Sequence, residues 1–341
     1  MAVGVIGAGP AGITAAYQLA KAGVDVHVFE AGDCVGGLAR SFRLWNQTVD
    51  LGPHRFFSTD ARVNALWLEV VGGDYTMVKR FTRILYGDRL FHYPLQPLNA
   101  LSQLGVVEAA RCVASFAREK VFPDSRVSRD TFEGWVTSRF GQRLFEIFFK
   151  TYSEKLWGIS CDALDADFAA QRIKKLNLFE AVANALRGAK GAAKHRTLVD
   201  EFAYPLGGTG SVYTRMADAV SVCGGRVHLN TRVQRVLTKA NRAYAIELES
   251  GEVCEFDTIV SSMPISLLTA RLPDVPEAIG RAANSLKFRN TVVVYLKIDA
   301  DGLFPDQWIY VHSDGARMGR ITNFRNWVPS LYGEERGSIL A

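Results

Sequence analysis

The chain has 341 residues, 48% of them hydrophobic and 22% charged, with a formal net charge of +5. This is the composition of a folded globular protein about two domains long, and it excludes a disordered, collagen-like or coiled-coil chain. A charge so small is too weak by itself to argue for a nucleic-acid partner.

The five cysteines, Cys34, Cys112, Cys161, Cys223 and Cys254, are odd in number and form no CxxC pair. Neither a disulfide framework nor a metal site follows, and a reducing, cytoplasmic compartment is expected. The uncharged stretch at 2–20 has no basic residue before it, and Gly4, Gly7, Gly9, Pro10 and Gly12 break it up. A signal peptide or membrane span would not look like that.

Residues 3–6 predict a short buried strand. Gly7, Ala8, Gly9, Pro10, Ala11 and Gly12 follow at once. Residues 10–22 predict a helix, with Pro10 suited to its first turn and Gly23 to its end. Val24, Val26, Val28 and Phe29 predict a second strand, closed by Glu30. In such a crossover Gly7 permits the tight turn, Gly9 admits a pyrophosphate, and Gly12 lets helix and strand pack closely. The helix start offers N–H groups to phosphate, and Glu30 can accept ribose hydroxyls, favouring an adenosine without a 2′-phosphate.

The whole run GAGPAG…FEAGDCVGGLARSF resembles the signature of FAD-binding amine oxidases, protoporphyrinogen oxidases, phytoene desaturases and UDP-galactopyranose mutases. The resemblance implies FAD as cofactor. It implies that Gly36, Gly37 and Arg40 lie against the FAD diphosphate, in a cofactor-binding run that takes in Ala31, Leu38 and Ala39. The segment from Asp50 to Ser58 looks like the loop beside the flavin in UDP-galactopyranose mutases, making Gly52, Pro53 and His54 cofactor contacts. His54 is the catalytic candidate there, since a histidine could hydrogen-bond the flavin or a substrate hydroxyl; a histidine holding a turn is the alternative.

Residues 60–195 carry mostly helical signals, at 60–71, 97–120 and 131–150, interrupted by a hairpin at 82–93 around Gly87 and Asp88. Trp135, Phe140, Leu144, Phe145 and Phe148 are expected in a core. Thr151-Tyr152-Ser153-Glu154-Lys155-Leu156-Trp157-Gly158 resembles a segment of UDP-galactopyranose mutases whose tryptophan lines a nucleotide-sugar cleft. An arginine follows it there at a spacing that Arg172 meets with a one-residue offset. The resemblance makes Trp157 and Arg172 substrate-binding candidates; packing at a helix end and a surface charge are the alternatives. Between Arg172 and Arg196 seven basic residues face Glu180 alone. They could steer an anionic substrate or rest on a membrane surface, but a solvated face is the favoured reading.

Tyr204-Pro205-Leu206-Gly207-Gly208-Thr209-Gly210-Ser211 opens a predicted helix at 211–222 and resembles the re-entry of this superfamily into its FAD domain. Strands are predicted at 226–230, 233–238, 243–249, 253–256 and 258–262. By the resemblance Val233 meets the adenine, and Ser261 and Met263 lie at the exit near the flavin. Strand patterns at 288–298, 307–312 and 318–325 are expected to form a sheet over the flavin.

The expected architecture is α/β. A discontinuous Rossmann-like FAD-binding domain (1–60 plus 196–265) carries an inserted, mostly helical cap (61–195) and a β-rich substrate region (266–341). Relatives continue with a last flavin-contacting segment, so the sequence is expected to be a fragment or a naturally cut chain. The function implied is an FAD-dependent oxidoreductase acting on a small molecule, with a nucleotide sugar as one substrate class. The alternatives are a mutase-type isomerase using reduced flavin N5 as nucleophile, or a non-catalytic flavin-binding scaffold. Nothing in the sequence sets an oligomeric state.

Overall fold

The computed structural model describes residues 1–95, 97–123, 127–172 and 201–341. The chain divides into two compact units. Met1–Lys79, Glu201–Asp301 and Trp327–Ile339 form the first; Arg80–Asp200, Gly302–Asn326 and Leu340–Ala341 form the second.

The first unit is built on a parallel sheet in the order Thr258–Ser261, Ala2–Ile6, Asp25–Phe29, Arg226–His228. Its inner strands are apolar on both faces because both faces are covered. Val3, Val5, Val26 and Val28 pack on Ile13, Ala16 and Tyr17 of the helix Pro10–Lys21 and on Val212, Met216 and Val220 of the helix Gly210–Val222. Ile6 and Phe29 pack the other way, against Val233, Val236, Ile246 and Leu248 of an antiparallel meander. That meander is Val233–Lys239, Arg242–Leu248 and Val253–Glu255. The expected crossover and the expected return strands thus meet in one sheet, which places the glycine turn at the carboxyl ends of parallel strands. The antiparallel pair Ser41–Leu44 and Gln47–Asp50 follows the second strand. The helix Ala61–Val71 comes next; Asp60 caps it by accepting the Arg62 N–H at 2.9 Å. Tyr75–Lys79 then pairs antiparallel with Glu201–Pro205.

The second unit has a four-stranded sheet in the order Arg320–Thr322, Trp308–Val311, Thr82–Tyr86, Arg89–His92. Ile84 and Phe91 of its hairpin share a core with Phe140, Leu144, Phe145 and Phe148. Trp135 does not belong fully to that core. It is half-buried, with the Arg139 guanidinium 3.8 Å over its ring, which is a stable arrangement for an aromatic at a helix surface.

The long helical signals are cut where glycine takes a positive φ. The signal at 97–120 splits at Gly105 (φ 83°) into Pro97–Leu104 and Val106–Val121. The signal at 131–150 splits at Gly141 (φ 80°) into Phe132–Phe140 and Gln142–Phe145. Glu146–Lys150 is then a π-helical turn, and the run continues as Thr151–Trp157. The expected sheet from 288–298, 307–312 and 318–325 is not formed. Trp308–Val311 and Arg320–Thr322 join the hairpin sheet, whereas only Leu296–Ile298 of the first stretch is a strand. Val292 and Val294 are 86% and 63% exposed there. Ahead of that short strand the stretch is anchored through a side chain, Tyr295, whose Oη donates to the Asp50 carbonyl at 2.7 Å. Among the described residues no helix is long and apolar enough to cross a membrane.

Candidate functional site

All the candidate cofactor contacts fall in the first unit. Gly9 caps the helix Pro10–Lys21 with no side-chain oxygen on the free N–H groups and no acid in the first turn. Those N–H groups and the helix dipole form an anion site. Beneath the turn everything is tight. A Cβ at Gly12 would lie 1.9 Å from the Gly7 carbonyl oxygen and 2.7 Å from Ser262 Oγ. Above it the space is open, for a Cβ on Gly9 would meet nothing within 4 Å.

The second glycine pair is seated on the first. The Gly36 N–H donates to the Ala8 carbonyl at 2.8 Å, and a Cβ on Gly37 would lie 3.1 Å from the Gly9 Cα. Ala39 is buried beside them, and Ala11, Ala31 and Leu38 are exposed. The Arg40 carbonyl accepts the Leu51 N–H at 3.0 Å, and its half-buried guanidinium acts electrostatically on Cys34 and Tyr295. The Glu30 carboxylate accepts the Ala8 N–H at 2.7 Å on one oxygen and the Gly32 N–H at 2.8 Å on the other. Each oxygen keeps a lone pair for a hydroxyl.

Asp50, Gly52, Pro53 and His54 leave the hairpin strand as one loop. The Gly52 N–H points to Tyr295 Oη at 3.3 Å, and His54 Nε2 lies 3.1 Å from the Leu51 carbonyl. Asp50 is 0% exposed. Burial pushes its pKa up, while hydrogen bonds from Ser41, Tyr204 and Thr209 pull the other way. Burial together with the Asp50 charge holds Tyr204 well above the usual phenol range. Sequence reasoning passed over this carboxylate as the first residue of a loop.

On the return side, Val233 is buried in the layer under the sheet, and its carbonyl accepts Arg271 Nε at 3.0 Å. Met263 packs on the same layer. Ser261 ends its strand opposite Ile6. The next residue, Ser262, is the one that touches the turn. Its Oγ donates to the Ile6 carbonyl at 3.0 Å and lies 3.3 Å from that of Gly7. A pair of adjacent serines carries no signal as to which one points under the glycines.

Trp157 and Arg172 lie in the second unit. Trp157 ends its helix at Gly158 and stands edge-on to Phe168, ring centres 4.9 Å apart. Arg172 is the last residue of the helix Ala166–Arg172. The basic stretch after it, 173–196, lies outside the described residues. Tyr152 of the Trp157 helix stacks on His312 at 4.7 Å. Burial, with Lys155 adding to it, lowers the His312 pKa to about 3, so this imidazole is neutral.

A family model for flavin containing amine oxidoreductases matches residues 10–319. The chain belongs to that family. Among the relatives of this chain, the probable UDP-galactopyranose mutase of Klebsiella pneumoniae is 29% identical over 170 residues, 48% of the chain and 42% of that protein. A zeta-carotene-forming phytoene desaturase of Myxococcus xanthus is 26% identical over 290 residues, 79% of the chain and 54% of that protein. The chain therefore spans about half the length of these curated relatives. A crystal structure of reduced UDP-galactopyranose mutase superposes with a TM-score of 0.83 at 22% identity, over 99% of the chain and 73% of that structure's chain. This likeness shows the fold.

FAD is the coenzyme of this flavin amine oxidoreductase family. The cradle fits it. A turn filled from below by Ser262 and open above, at an uncapped helix start, accepts a diphosphate. An acid already facing the same turn still has room for ribose hydroxyls.

Proposed function

We propose that this flavin amine oxidoreductase holds FAD in the first unit and acts on a small-molecule substrate, with a nucleotide sugar as the substrate class. The observation that carries the reading is the cradle, closed beneath Gly7 and Gly12 and open above Gly9. When bound, FAD supplies an electron-accepting ring that is nucleophilic once reduced, chemistry that no side chain offers. The chain's own residues bind and orient. The helix start at Gly9 and the pair Gly36–Gly37, with Arg40, would hold the diphosphate. Glu30 would hold the ribose, and Val233 the adenine. Gly52, Pro53 and His54 would line the flavin edge, His54 offering a ring nitrogen to flavin or substrate. Trp157 and Arg172 would take the substrate's nucleotide part, an arginine fork suiting a diphosphate.

The nucleotide-sugar class is supported by the 29%-identical relative and by the segment from Tyr152 to Trp157. The test has two steps. Purified protein titrated with FAD should show a perturbed flavin spectrum, and a free-flavin spectrum throughout would end the reading. The reduced holoprotein should then interconvert UDP-galactopyranose and UDP-galactofuranose without net oxidation. A second reading, net oxidation of substrate, is favoured by the desaturase relative, whose alignment spans 79% of the chain. It would gain if substrate bleaches the flavin and neither sugar shifts.

A further inference from the structure

We propose that Asp50 is a positioning residue of the cofactor cradle: as a carboxylate it ties the turn 205–210 to the hairpin Ser41–Asp50 and so sets the loop 51–54 that carries His54. The proposal rests on the flavin reading above and deepens it.

The carboxylate is 0% exposed, and its four lone-pair positions are all taken. Oδ1 accepts Ser41 Oγ and the Thr209 N–H, the latter at 3.0 Å; Oδ2 accepts Tyr204 Oη at 2.8 Å and Thr209 Oγ1 at 2.9 Å. The Gly210 N–H donates to Ser41 Oγ at 2.7 Å, so the serine directs its own proton to Asp50. Both partners of Oδ1 are therefore committed donors, and the ionised form fits. All four donors are neutral. Among the described residues no cation pairs with this buried charge, and burial of that kind costs the fold free energy rather than adding to it.

An asparagine would fit the same place. Both partners of Oδ2 are hydroxyls, and a hydroxyl can turn round to accept an amide N–H. Stability alone thus gives no reason for a carboxylate here. What the charge does is fix the direction of those hydroxyls. Thr209 Oγ1, held by Asp50, also lies 3.4 Å from the His54 carbonyl, so the hydroxyl that the charge directs is the one that reaches the loop. The backbone of Asp50 extends the effect. Its carbonyl accepts Tyr295 Oη at 2.7 Å, and that oxygen lies 3.3 Å from the Gly52 N–H.

The test compares the full chain with Asp50→Asn and Thr209→Val by three measurements: melting temperature without FAD, FAD affinity by fluorescence quenching, and amide exchange at 51–54. For Asp50→Asn the melting temperature should hold within a few degrees. Exchange at 51–54 should accelerate and FAD affinity fall about tenfold or more, the scale of one charge-assisted hydrogen bond. Wild-type affinity and exchange in that variant would overturn the proposal, and so would a parallel collapse of melting temperature and affinity, the mark of a purely structural role. Should Asp50→Asn fail to fold, Thr209→Val decides: faster exchange at 51–54 supports the proposal, unchanged exchange sinks it. If wild type binds no FAD, the flavin reading is lost, while exchange at 51–54 still judges Asp50 by itself.

Discussion

Asp50 in the first unit and Asp306 in the second are both 0% exposed, yet they are held in opposite ways. Asp306 meets the Arg83 guanidinium in a two-pronged pair, Nε at 2.9 Å from Oδ1 and Nη2 at 2.6 Å from Oδ2. Asp50 meets three hydroxyls and one backbone N–H. A carboxylate facing a fixed cation cannot be altered without stranding a charge. One facing hydroxyls has partners that can reverse. The second unit is clamped at this point; the first is adjustable beside its candidate cofactor loop.

The hardest blow to this contrast comes from Arg83→Met. It strands the Asp306 charge and should cost about 3–5 kcal/mol, read as faster amide exchange in the strands Thr82–Tyr86 and Trp308–Val311. A loss under ~1 kcal/mol would erase the distinction between the two carboxylates. Next comes the pH response of His312. Its folded pKa, about 3, lies below the unfolded value near 6.5. The unfolded chain therefore takes up the proton first, and stability falls as pH drops through that window, by on the order of 3 kcal/mol at pH 4. His312→Phe keeps a ring on Tyr152 and should flatten that acid slope; an unchanged slope would remove His312 from the account.

Tyr204→Phe deletes one donor to Asp50 and leaves three, so about 2 kcal/mol is expected from denaturant melts. A cost equal to that of Arg83→Met would mean the first network is as rigid as the second. The smallest effect is a calibration. Thr131 accepts the Gly134 N–H at 3.2 Å as a helix cap, and Thr131→Ala should cost about 1 kcal/mol.

What could be read beforehand follows from locality. The crossover from Val3 to Glu30 lies within thirty residues, and each piece announces itself by period or by glycine. The hairpin turn at Gly87 and Asp88 and the return strands did likewise. The Asp50 network did not. Its hydroxyl donor Tyr204 is 154 residues away, and hydroxyl groups leave no periodic trace. That Ser262 rather than its neighbour Ser261 points under the glycines is set by the register against Ile6, which a pair of adjacent serines does not reveal. The stretch 288–298 misled because three consecutive valine-type positions read as a strand, whereas Tyr295 is tied to the Asp50 loop by its side chain.

The π-turn Glu146–Lys150 has a consequence for how this chain can change. It holds one residue more than an α-turn would, which rotates everything after it by about 100° around the axis. Phe145 and Phe148 face inward before and within it, and Tyr152 and Trp157 reach His312 and Phe168 after it. Excising a single residue there would yield a smoother helix and swing both rings away from those neighbours. Insertions and deletions at this spot act as a phase shifter, re-aiming the aromatic pair in one step without touching the core upstream.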